Sequence, residues 1–286
     1  MSEVASSDRA RSEAGSAISS VSRPASAMPL LRERVRAADP VIGTFVKTTS
    51  PQTIEVLGHS GLDFAVLDAE HAPFGVESLD RTLGAARGAG LAALVRIPDH
   101  APAFINTCLD LGASGVLVPH TLTAADAEAI ADAARFGRGQ RGFSPSGRAG
   151  SYGQIDHASY RAAADSGCNI WCQIEDRAAM SRLDEIAAVD AVDCLFIGPA
   201  DLSLSLGYGG MDDPRLLEAI RAIAAAGRRH GRAVGLYVGN TGKVADMIAL
   251  GITVFVCGSD QGFMLGRAKQ VATDFSSARE KTSQPA

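Results

Sequence analysis

Short apolar runs alternate with amphipathic stretches about eight times between Val41 and Thr273. The apolar runs cover residues 41–46, 64–67, 92–95, 115–118, 170–174, 194–197, 233–238 and 253–257. The amphipathic stretches cover residues 51–59, 76–89, 101–111, 124–135, 178–188, 214–230, 242–250 and 262–273. A strand followed by a helix, repeated in this way over roughly 240 residues, predicts an α/β protein, a single-domain (β/α)8 TIM barrel. A doubly wound open sheet is the alternative, although it needs fewer strands and no GxGxxG follows the first one.

The segments outside this pattern lie at both ends and in one long gap. Residues 1–28 are rich in Ser and Ala and lack the apolar core of a secretory signal, which predicts a disordered N-terminal tail before a barrel at residues 29–275. A transit-like peptide is the alternative for this tail. Residues 276–286 are polar and are expected to form a frayed C-terminal tail. The gap at residues 136–169 is rich in Gly and Arg and is long enough to predict a functional lid.

Composition limits the class of protein. Of the 286 residues, 46% are hydrophobic and 21% are charged, which suits one globular domain with a large core. The net charge of -5 argues against nucleic acid as the main partner, and no apolar run reaches the roughly 20 residues of a membrane span. Five Cys without a CxxC pair, three of them in apolar runs (Cys172, Cys194, Cys257), predict buried thiols in a reducing compartment and hence a cytoplasmic protein.

Two of the predicted strands end in a carboxylate. Glu175 follows the run at 170–174, and Asp201 follows the run at 194–197 after Gly-Pro-Ala. A carboxylate at the end of a buried strand costs free energy unless something binds it, and the ends of neighbouring parallel strands face one cleft. Oxygen ligands placed in this way predict a site for a hard divalent cation. The alternative is that Glu175 pairs with an arginine and that Asp201 caps the helix after it.

Polar residues also follow other predicted strands. They are Lys47 after the first strand, Asp68, Glu70 and His71 after the second, Arg96 after the third, His120 after the fourth and Gln173 near the end of the fifth. Each alone has a structural explanation, such as a core ion pair for Arg96. Because the active sites of barrel enzymes lie at the carboxyl ends of the strands, their convergence on one rim predicts an active site.

Five segments carry a resemblance to a known family. They are Asp68-Ala-Glu-His-Ala-Pro73, Val95-Arg96, Leu109-Asp110-Leu-Gly112, Gln173-Ile-Glu175 and Ile197-Gly-Pro-Ala-Asp-Leu-Ser203. In this order they resemble the HpcH/HpaI aldolases, metal-dependent pyruvate aldolases of the phosphoenolpyruvate/pyruvate barrel superfamily, and the resemblance extends over residues 41–275. It assigns the metal carboxylates to Glu175 and Asp201, the catalytic histidine to His71, its acidic partner to Asp110, the arginine to Arg96 and the glutamine ahead of the metal ligand to Gln173.

The resemblance implies a class II aldolase that reversibly cleaves a 4-hydroxy-2-oxo acid to pyruvate and an aldehyde, with Mg2+, Mn2+ or Co2+ as the cofactor. Arg96 is expected to add positive charge at the keto oxygen, and His71 is expected to take up the proton of the 4-hydroxyl group. Further contacts are expected from Gly198, Pro199 and Ala200 at the pyruvate carboxylate, from Arg148 at a distal carboxylate, and from Asp68 and Glu70, which would orient Arg96 and water. The aldehyde stays open, because loops like the one at 142–150 vary among such enzymes.

Alternatives to this function stay open. A Schiff-base aldolase would use Lys47, the only lysine at a strand exit. A citrate-forming enzyme of the same family would run a condensation, and a barrel without turnover would only bind an oxo acid. The resemblance also implies a homo-oligomer, commonly a hexamer built as a trimer of dimers, in which an apolar stripe at residues 262–273 packs on a neighbouring subunit. Packing of that stripe on its own barrel is the alternative.

Overall fold

The computed structural model describes residues 30–283, with side chains through Glu280. Its eight strands are parallel and close into a barrel in chain order, which confirms the (β/α)8 prediction over the open sheet. The strands are β1 (Val41–Val46), β2 (Phe64–Asp68), β3 (Ala92–Arg96), β4 (Gly115–Val118), β5 (Asn169–Ile174), β6 (Cys194–Ile197), β7 (Ala233–Val238) and β8 (Val254–Ser259). The tail predicted for residues 1–28, and residues 284–286 of the predicted C-terminal tail, lie outside the described residues.

Twelve α-helices accompany the strands within residues 30–283. They are α1 (Leu31–Arg36), α2 (Pro51–Gly58), α3 (Val76–Ala89), α4 (Pro102–Asp110), α5 (Ala124–Ala134), α6 (His157–Gly167), α7 (Arg177–Met180), α8 (Leu183–Ala188), α9 (Pro199–Leu206), α10 (Pro214–His230), α11 (Val244–Ala249) and α12 (Asp260–Ser283). The helix predicted at residues 178–188 is divided into α7 and α8, and α6 was not predicted. The last helix runs past residue 273 and takes in residues 276–283 of the segment that was expected to fray.

Large side chains from alternate strand positions fill the interior of the barrel, as the two-residue period of a strand requires. Trp171 on β5 stacks on Phe196 of β6, with ring centroids 6.2 Å apart, and meets Phe64 of β2 edge to face at 5.2 Å. All three side chains are fully buried. The alternation that turns Trp171 inward also turns Gln173 inward, one layer higher, and brings Glu175 to the rim. The aromatic layer is therefore the floor beneath the carboxyl ends of the strands.

Helix α1 closes the opposite, amino-terminal end of the barrel. It is tied there to Asp193, a fully buried carboxylate that directly precedes β6. Asp193 Oδ1 lies 3.0 Å from Arg32 Nε and 2.6 Å from Arg36 Nε, both on α1. Its Oδ2 accepts hydrogen bonds from Arg135 Nη2 at 3.2 Å and from the backbone N–H of Ile170 at 3.0 Å. One buried carboxylate therefore holds three guanidinium groups together.

Replacement of Asp193 with alanine is expected to lower the free energy of unfolding by about 3–5 kcal/mol, because it leaves the mostly buried Arg32 and Arg135 without an anionic partner. Urea unfolding followed by circular dichroism measures this loss. Asp190→Ala is the matched control, since it also removes an ion pair (with Arg232, 2.8 Å), but the Asp190 side chain is 99% exposed, so little change is expected. Equal losses in the two variants would contradict the role assigned to Asp193.

The glycine- and arginine-rich segment between α5 and α6 does not cover the carboxyl ends of the strands. In a (β/α)8 barrel the connection from a helix to the next strand lies at the amino-terminal end. The segment docks on the outside of α3 and α4, where Arg148 Nη2 lies 2.8 Å from Asp80 Oδ1 and Arg141 Nη2 lies 2.9 Å from Asp110 Oδ1. The prediction of a lid over the site of the same chain is therefore wrong.

The cysteines are packing groups. All five are buried free thiols, as predicted for those in the apolar runs. Burial raises the pKa of Cys108 and of Cys172 to about 12, so both thiols stay protonated near neutral pH.

Within residues 30–283, none of the helices combines the length and the apolar character that crossing a bilayer requires.

Candidate active site

A cavity of about 470 Å³ opens at the carboxyl ends of the strands. Its lining residues are Phe45, Lys47, His71, Arg96, Gln173, Phe196, Gly198, Pro199, Ala200, Asp201, Tyr237, Gly258, Ser259, Gln261, Gly262 and Leu265. Most of the residues that the sequence placed at strand exits are therefore brought together on one rim. Phe45 and Phe196 form the apolar floor, and the polar groups surround it.

Arg96 and Asp68 form an ion pair at the inner rim. The two residues face each other in the register of β3 and β2. Arg96 Nε donates to Asp68 Oδ1 at 2.9 Å and Arg96 Nη2 donates to Asp68 Oδ2 at 2.8 Å, a bidentate pair that fixes the guanidinium plane. Burial alone would raise the pKa of Asp68, but the hydrogen bonds and the charge of Arg96 hold this pKa below its ordinary value. The guanidinium also lies 4.4 Å over the ring of Phe45, so its position is set on two sides.

Lys47 and Glu70 flank this pair. Lys47 Nζ lies 3.4 Å from Asp68 Oδ2, and its side chain is 32% exposed. Glu70 Oε2 lies 3.3 Å from Arg96 Nε, yet this buried oxygen has no hydrogen-bond partner among the described residues. Glu70 is therefore an acceptor at the rim that a ligand or a water molecule can use.

Glu175 is almost completely buried, with 3% of its side chain exposed. Its Oε2 accepts a hydrogen bond from the side-chain amide of Gln173, and its Oε1 accepts one from the backbone N–H of His120 at 3.0 Å. Burial raises the pKa of Glu175 above its ordinary value, and these hydrogen bonds offset only part of that effect. Gln173 Oε1 is buried and lacks a hydrogen-bond partner within residues 30–283. A bound cation, or a ligand with a donor group, would satisfy both groups.

Asp201 reaches the cavity from the first turn of α9. Its side chain is exposed, and its carboxylate makes no hydrogen bond or ion pair within the part of the chain that the structure describes. The N-cap of α9 is Gly198, so Asp201 is not the cap of this helix. Neither does Glu175 pair with an arginine in the described residues. The two carboxylates are therefore not accounted for by the structural alternatives, and their oxygens suit a hard cation.

Gly198 lets the end of β6 approach these side chains. A Cβ atom at this position would lie 2.7 Å from Glu175 Oε2 and 3.0 Å from Gln173 Nε2. Contacts this short between a methyl group and polar atoms cannot form without moving the carboxylate. A residue without a side chain is thus required here for the observed position of Glu175.

His71 lies at the outer rim of the cavity, with 54% of its side chain exposed. Its backbone N–H donates to Asp68 Oδ1 at 3.1 Å, which ties the loop after β2 to the ion pair with Arg96. His71 Nε2 lies 3.8 Å from Glu70 Oε2. The imidazole is thus open to a molecule in the cavity, and Glu70 is its nearest carboxylate within residues 30–283.

Two predicted site residues lie elsewhere. Asp110 is the last residue of α4, a helix that starts at the rim and spans about 13 Å away from it. It pairs with Arg141, so the expected contact between Asp110 and His71 is not formed within this chain. Arg148 lines no part of the cavity, because Nη1 is held by the carbonyl oxygens of Asp80 (2.7 Å) and Leu111 (3.1 Å). Arg148 therefore does not reach the cavity within one chain, and its contact with a distal carboxylate stays a prediction.

Other residues of the site were not assigned from the sequence. His120 and Asp176 have metal-capable atoms that lie, together with an oxygen of Glu175, within 4.8 Å of one another. His120 stands at a strand exit, but the sequence does not reveal which carboxylates it meets. Tyr237 and Ser259 line the cavity from β7 and β8, and their signal is the same strand-end position without a charged side chain.

The sequence is similar to those of known enzymes. The sequence model of the HpcH/HpaI aldolase/citrate lyase family matches residues 41–265. The chain is 34% identical over 236 residues to 5-keto-4-deoxy-D-glucarate aldolase of Shigella boydii, a match that covers 82% of this chain and 91% of that enzyme. The enzyme of the same name from Klebsiella pneumoniae matches with the same identity and coverage.

Solved structures are similar over most of the barrel. A HpcH/HpaI aldolase/citrate lyase family protein from Burkholderia cenocepacia J2315 is 30% identical with a TM-score of 0.81, and the match covers 86% of this chain and 98% of that one. The citrate synthase SbnG is 27% identical with a TM-score of 0.78, and the match covers 89% and 99% of the two chains.

Proposed function

Because the chain belongs to the HpcH/HpaI aldolase/citrate lyase family and is a carbon–carbon lyase of the aldolase type, we propose that it reversibly cleaves a 4-hydroxy-2-oxo acid to pyruvate and an aldehyde with the help of a divalent cation. The observation that carries the proposal is the position of Glu175. This buried carboxylate lies beside Gln173, whose Oε1 has no donor among the described residues, and beside Gly198; both residues line the cavity that Arg96 and His71 also line.

The residues of the rim fit a hard divalent cation. Glu175 and Asp201 would hold it, since both offer carboxylate oxygens and neither is paired with an arginine or a lysine of the described residues. The raised pKa of Glu175 supports this assignment, because a positive charge beside a buried carboxylate offsets the cost of its burial. Mg2+, Mn2+ and Co2+ all accept such ligands. A cation bound there supplies Lewis-acid polarisation of the 2-oxo group.

Arg96 and His71 perform the remaining chemistry. The guanidinium of Arg96, fixed by Asp68, directs positive charge at the oxygen on which negative charge develops during cleavage. The imidazole of His71 takes up the proton of the 4-hydroxyl group, so that the carbon–carbon bond can break as the aldehyde forms. Gly198, Pro199 and Ala200 line the wall opposite and would bind the carboxylate of the oxo acid.

The name of the curated relatives points to one substrate to test first. Numbered from its other carboxylate, 5-keto-4-deoxy-D-glucarate carries a 2-oxo group, a methylene group and a 4-hydroxyl group, so it belongs to the substrate class proposed here. The experiment is a panel of 4-hydroxy-2-oxo acids that includes this compound, with pyruvate release measured in the presence of Mn2+. Release from at least one member supports the proposal, and no release from any member would overturn it.

Two alternatives predict other results in the same assay. A citrate-forming condensation is favoured by the likeness to the citrate synthase SbnG, and it predicts product from an acyl donor and an oxo acid without cleavage of the panel. A Schiff base on Lys47 is disfavoured by the structure. The side chain is one-third exposed and paired with Asp68, whereas a lysine nucleophile is activated by an apolar pocket. Borohydride would trap pyruvate on the protein only if Lys47 formed a Schiff base.

Gly198→Ala is expected to lower the cleavage rate about 10- to 100-fold, the range typical of groups that orient a metal ligand. The physical reason is the 2.7 Å approach of the new Cβ atom to Glu175 Oε2. Steady-state kinetics at several Mn2+ concentrations measure the effect. Gly239→Ala serves as the control, because no atom lies within 4 Å of a Cβ atom at that position near the same rim. Full activity of Gly198→Ala would mean that Glu175 tolerates displacement and is not a ligand.

We propose that the last helix, α12, contacts a neighbouring subunit. Phe263, Met264, Leu265, Val271 and Phe275 of α12 are exposed in the single chain, an apolar surface that a neighbouring subunit would cover. We expect a homo-oligomer, a hexamer on the family pattern, and only a second copy could bring an Asp110 to His71. Light scattering at micromolar concentration measures the mass. A monomeric mass would contradict this expectation.

A further inference from the structure

His120, the second residue after β4, has an unusual backbone conformation. Its φ angle is 51°, in the left-handed region that residues other than glycine rarely adopt. A contact with a neighbouring loop stabilises the turn: the carbonyl oxygen of Pro119 lies 2.7 Å from His100 Nε2. A strained residue fixed in this way next to a functional rim suggests a functional role for its position.

The left-handed turn directs two groups of His120 at the same carboxylate. Its backbone N–H donates to Glu175 Oε1 at 3.0 Å, and its Nδ1 lies 3.5 Å from the same oxygen. Nδ1 is also 2.9 Å from Asp176 Oδ2, so the imidazole lies between two consecutive carboxylates. On the other side of the ring, Nε2 lies 3.9 Å from Glu70 Oε1.

Glu175 is thereby held at both oxygens. The side-chain amide of Gln173 donates to Oε2, which faces Gly198. The backbone N–H of His120 donates to Oε1. A carboxylate offers about four acceptor positions, so one hydrogen bond at each oxygen fixes its plane and leaves further lone pairs for a ligand. Groups that orient a metal ligand in this way typically contribute 10- to 100-fold to metal affinity.

We propose that His120 is a positioning residue for Glu175: its backbone N–H holds Oε1, and its imidazole, anchored on Asp176, keeps the turn that aims this N–H. The inference rests on the proposed function, because it assigns to Glu175 a cation to bind. It adds an anchor, the contact of the His120 imidazole with Asp176, that sets the position of Glu175 before the cation arrives.

The test is the affinity of the full chain for Mn2+ alone. This affinity is measured from the electron paramagnetic resonance signal of the free ion. His120→Asn removes the imidazole and its anchor on Asp176, while asparagine tolerates the left-handed backbone, so the variant is expected to fold. This variant is expected to bind Mn2+ about 10-fold more weakly. Asp176→Asn is expected to weaken binding by a smaller factor, and the double variant should be no weaker than His120→Asn, because the two residues act as one unit.

The matched control is His230→Asn. His230 Nε2 also lies 2.9 Å from a carboxylate oxygen, of Asp184, but this pair is at the end of α10, away from the cavity. The affinity of His230→Asn for Mn2+ should equal that of the unaltered chain. At saturating Mn2+ the turnover number of His120→Asn should approach that of the unaltered chain, whereas at limiting Mn2+ it should fall. A general loss of structure would lower the turnover number at both Mn2+ concentrations.

Each other outcome overturns the inference. Unaltered Mn2+ affinity in both His120→Asn and Asp176→Asn would overturn it and leave the proposed function standing. Tighter binding in His120→Asn would also overturn it, because the imidazole would then occupy the place of the cation. If the unaltered chain binds no Mn2+, the proposed metal site fails and this inference fails with it.

Discussion

Replacement of Glu175 with glutamine is expected to lower the rate of cleavage by more than about 100-fold, because a ligand should matter more than the groups that orient it. The substitution keeps the shape of the side chain but removes the charge that a divalent cation requires. The loss should appear as a matching loss of Mn2+ affinity. Pyruvate release and Mn2+ binding, measured on the same protein sample, check both parts.

The folded state should not suffer from this change. Glu175 is 3% exposed, and burial of its charge costs more free energy than burial of a neutral amide, but the new NH2 group would face one of the two donors at this carboxylate. Because these two effects oppose each other, the urea midpoint of Glu175→Gln is expected to stay close to that of the unaltered protein. Glu185→Gln, on the exposed face of α8, is the control for activity and stability. An active Glu175→Gln variant would contradict the assigned metal site.

Replacement of His71 with alanine is expected to slow aldol cleavage by about 10²–10⁴-fold, the usual contribution of a general base. Affinities for Mn2+ and for pyruvate should change little, because the His71 imidazole contacts no group that binds the cation in our assignment. The rate of pyruvate release from the best substrate of the panel measures the effect.

A second reaction separates the base from the rest of the site. Decarboxylation of oxaloacetate also generates the enolate of pyruvate, but it has no hydroxyl proton to remove. His71→Ala should therefore retain most of this activity, whereas Arg96→Lys should damage both reactions, because lysine cannot reproduce the bidentate pair with Asp68. Equal losses of both reactions in His71→Ala, or loss of bound Mn2+, would show that His71 supports the scaffold and is not the base.

Much of the fold could be predicted because its local signals agree with one another. The strands at 41–46, 115–118, 194–197 and 233–238 were predicted with the bounds that the structure has, and so were α3 and α10. Each is either a short apolar run bounded by turn residues or a stretch with a clear helical period. Helix α6 was missed because it buries little apolar surface; Tyr160 is its one fully buried residue.

The candidate site could be predicted in part, because a parallel barrel brings every strand exit to one rim. That rule and the resemblance named Glu175, Asp201, Arg96 and His71, and the last three line the cavity. Contacts between side chains were not predictable from either. His120 meets Glu175 because Val118 on β4 lies opposite Cys172 on β5, a register that the sequence does not state.

The pairing of Asp110 with His71 stays a prediction, and it is not formed within one chain. The motif Leu109-Asp110-Leu-Gly112 suggested a partner for His71, but a helix that starts at the rim ends at the opposite side of the barrel. The predicted fold itself therefore separated the two residues within one chain. A resemblance in sequence names a residue, and only the geometry decides which groups it can reach.

The measurement that tests the central claim most directly is cleavage by the same protein with and without a cation. The chain is freed of metal with a chelator, and pyruvate release from the best substrate of the panel is followed before and after addition of Mn2+. The metal-free protein is expected to be inactive, Mn2+ is expected to restore cleavage, and Glu175→Gln is expected to stay inactive in both states. Full activity in excess chelator would contradict the account.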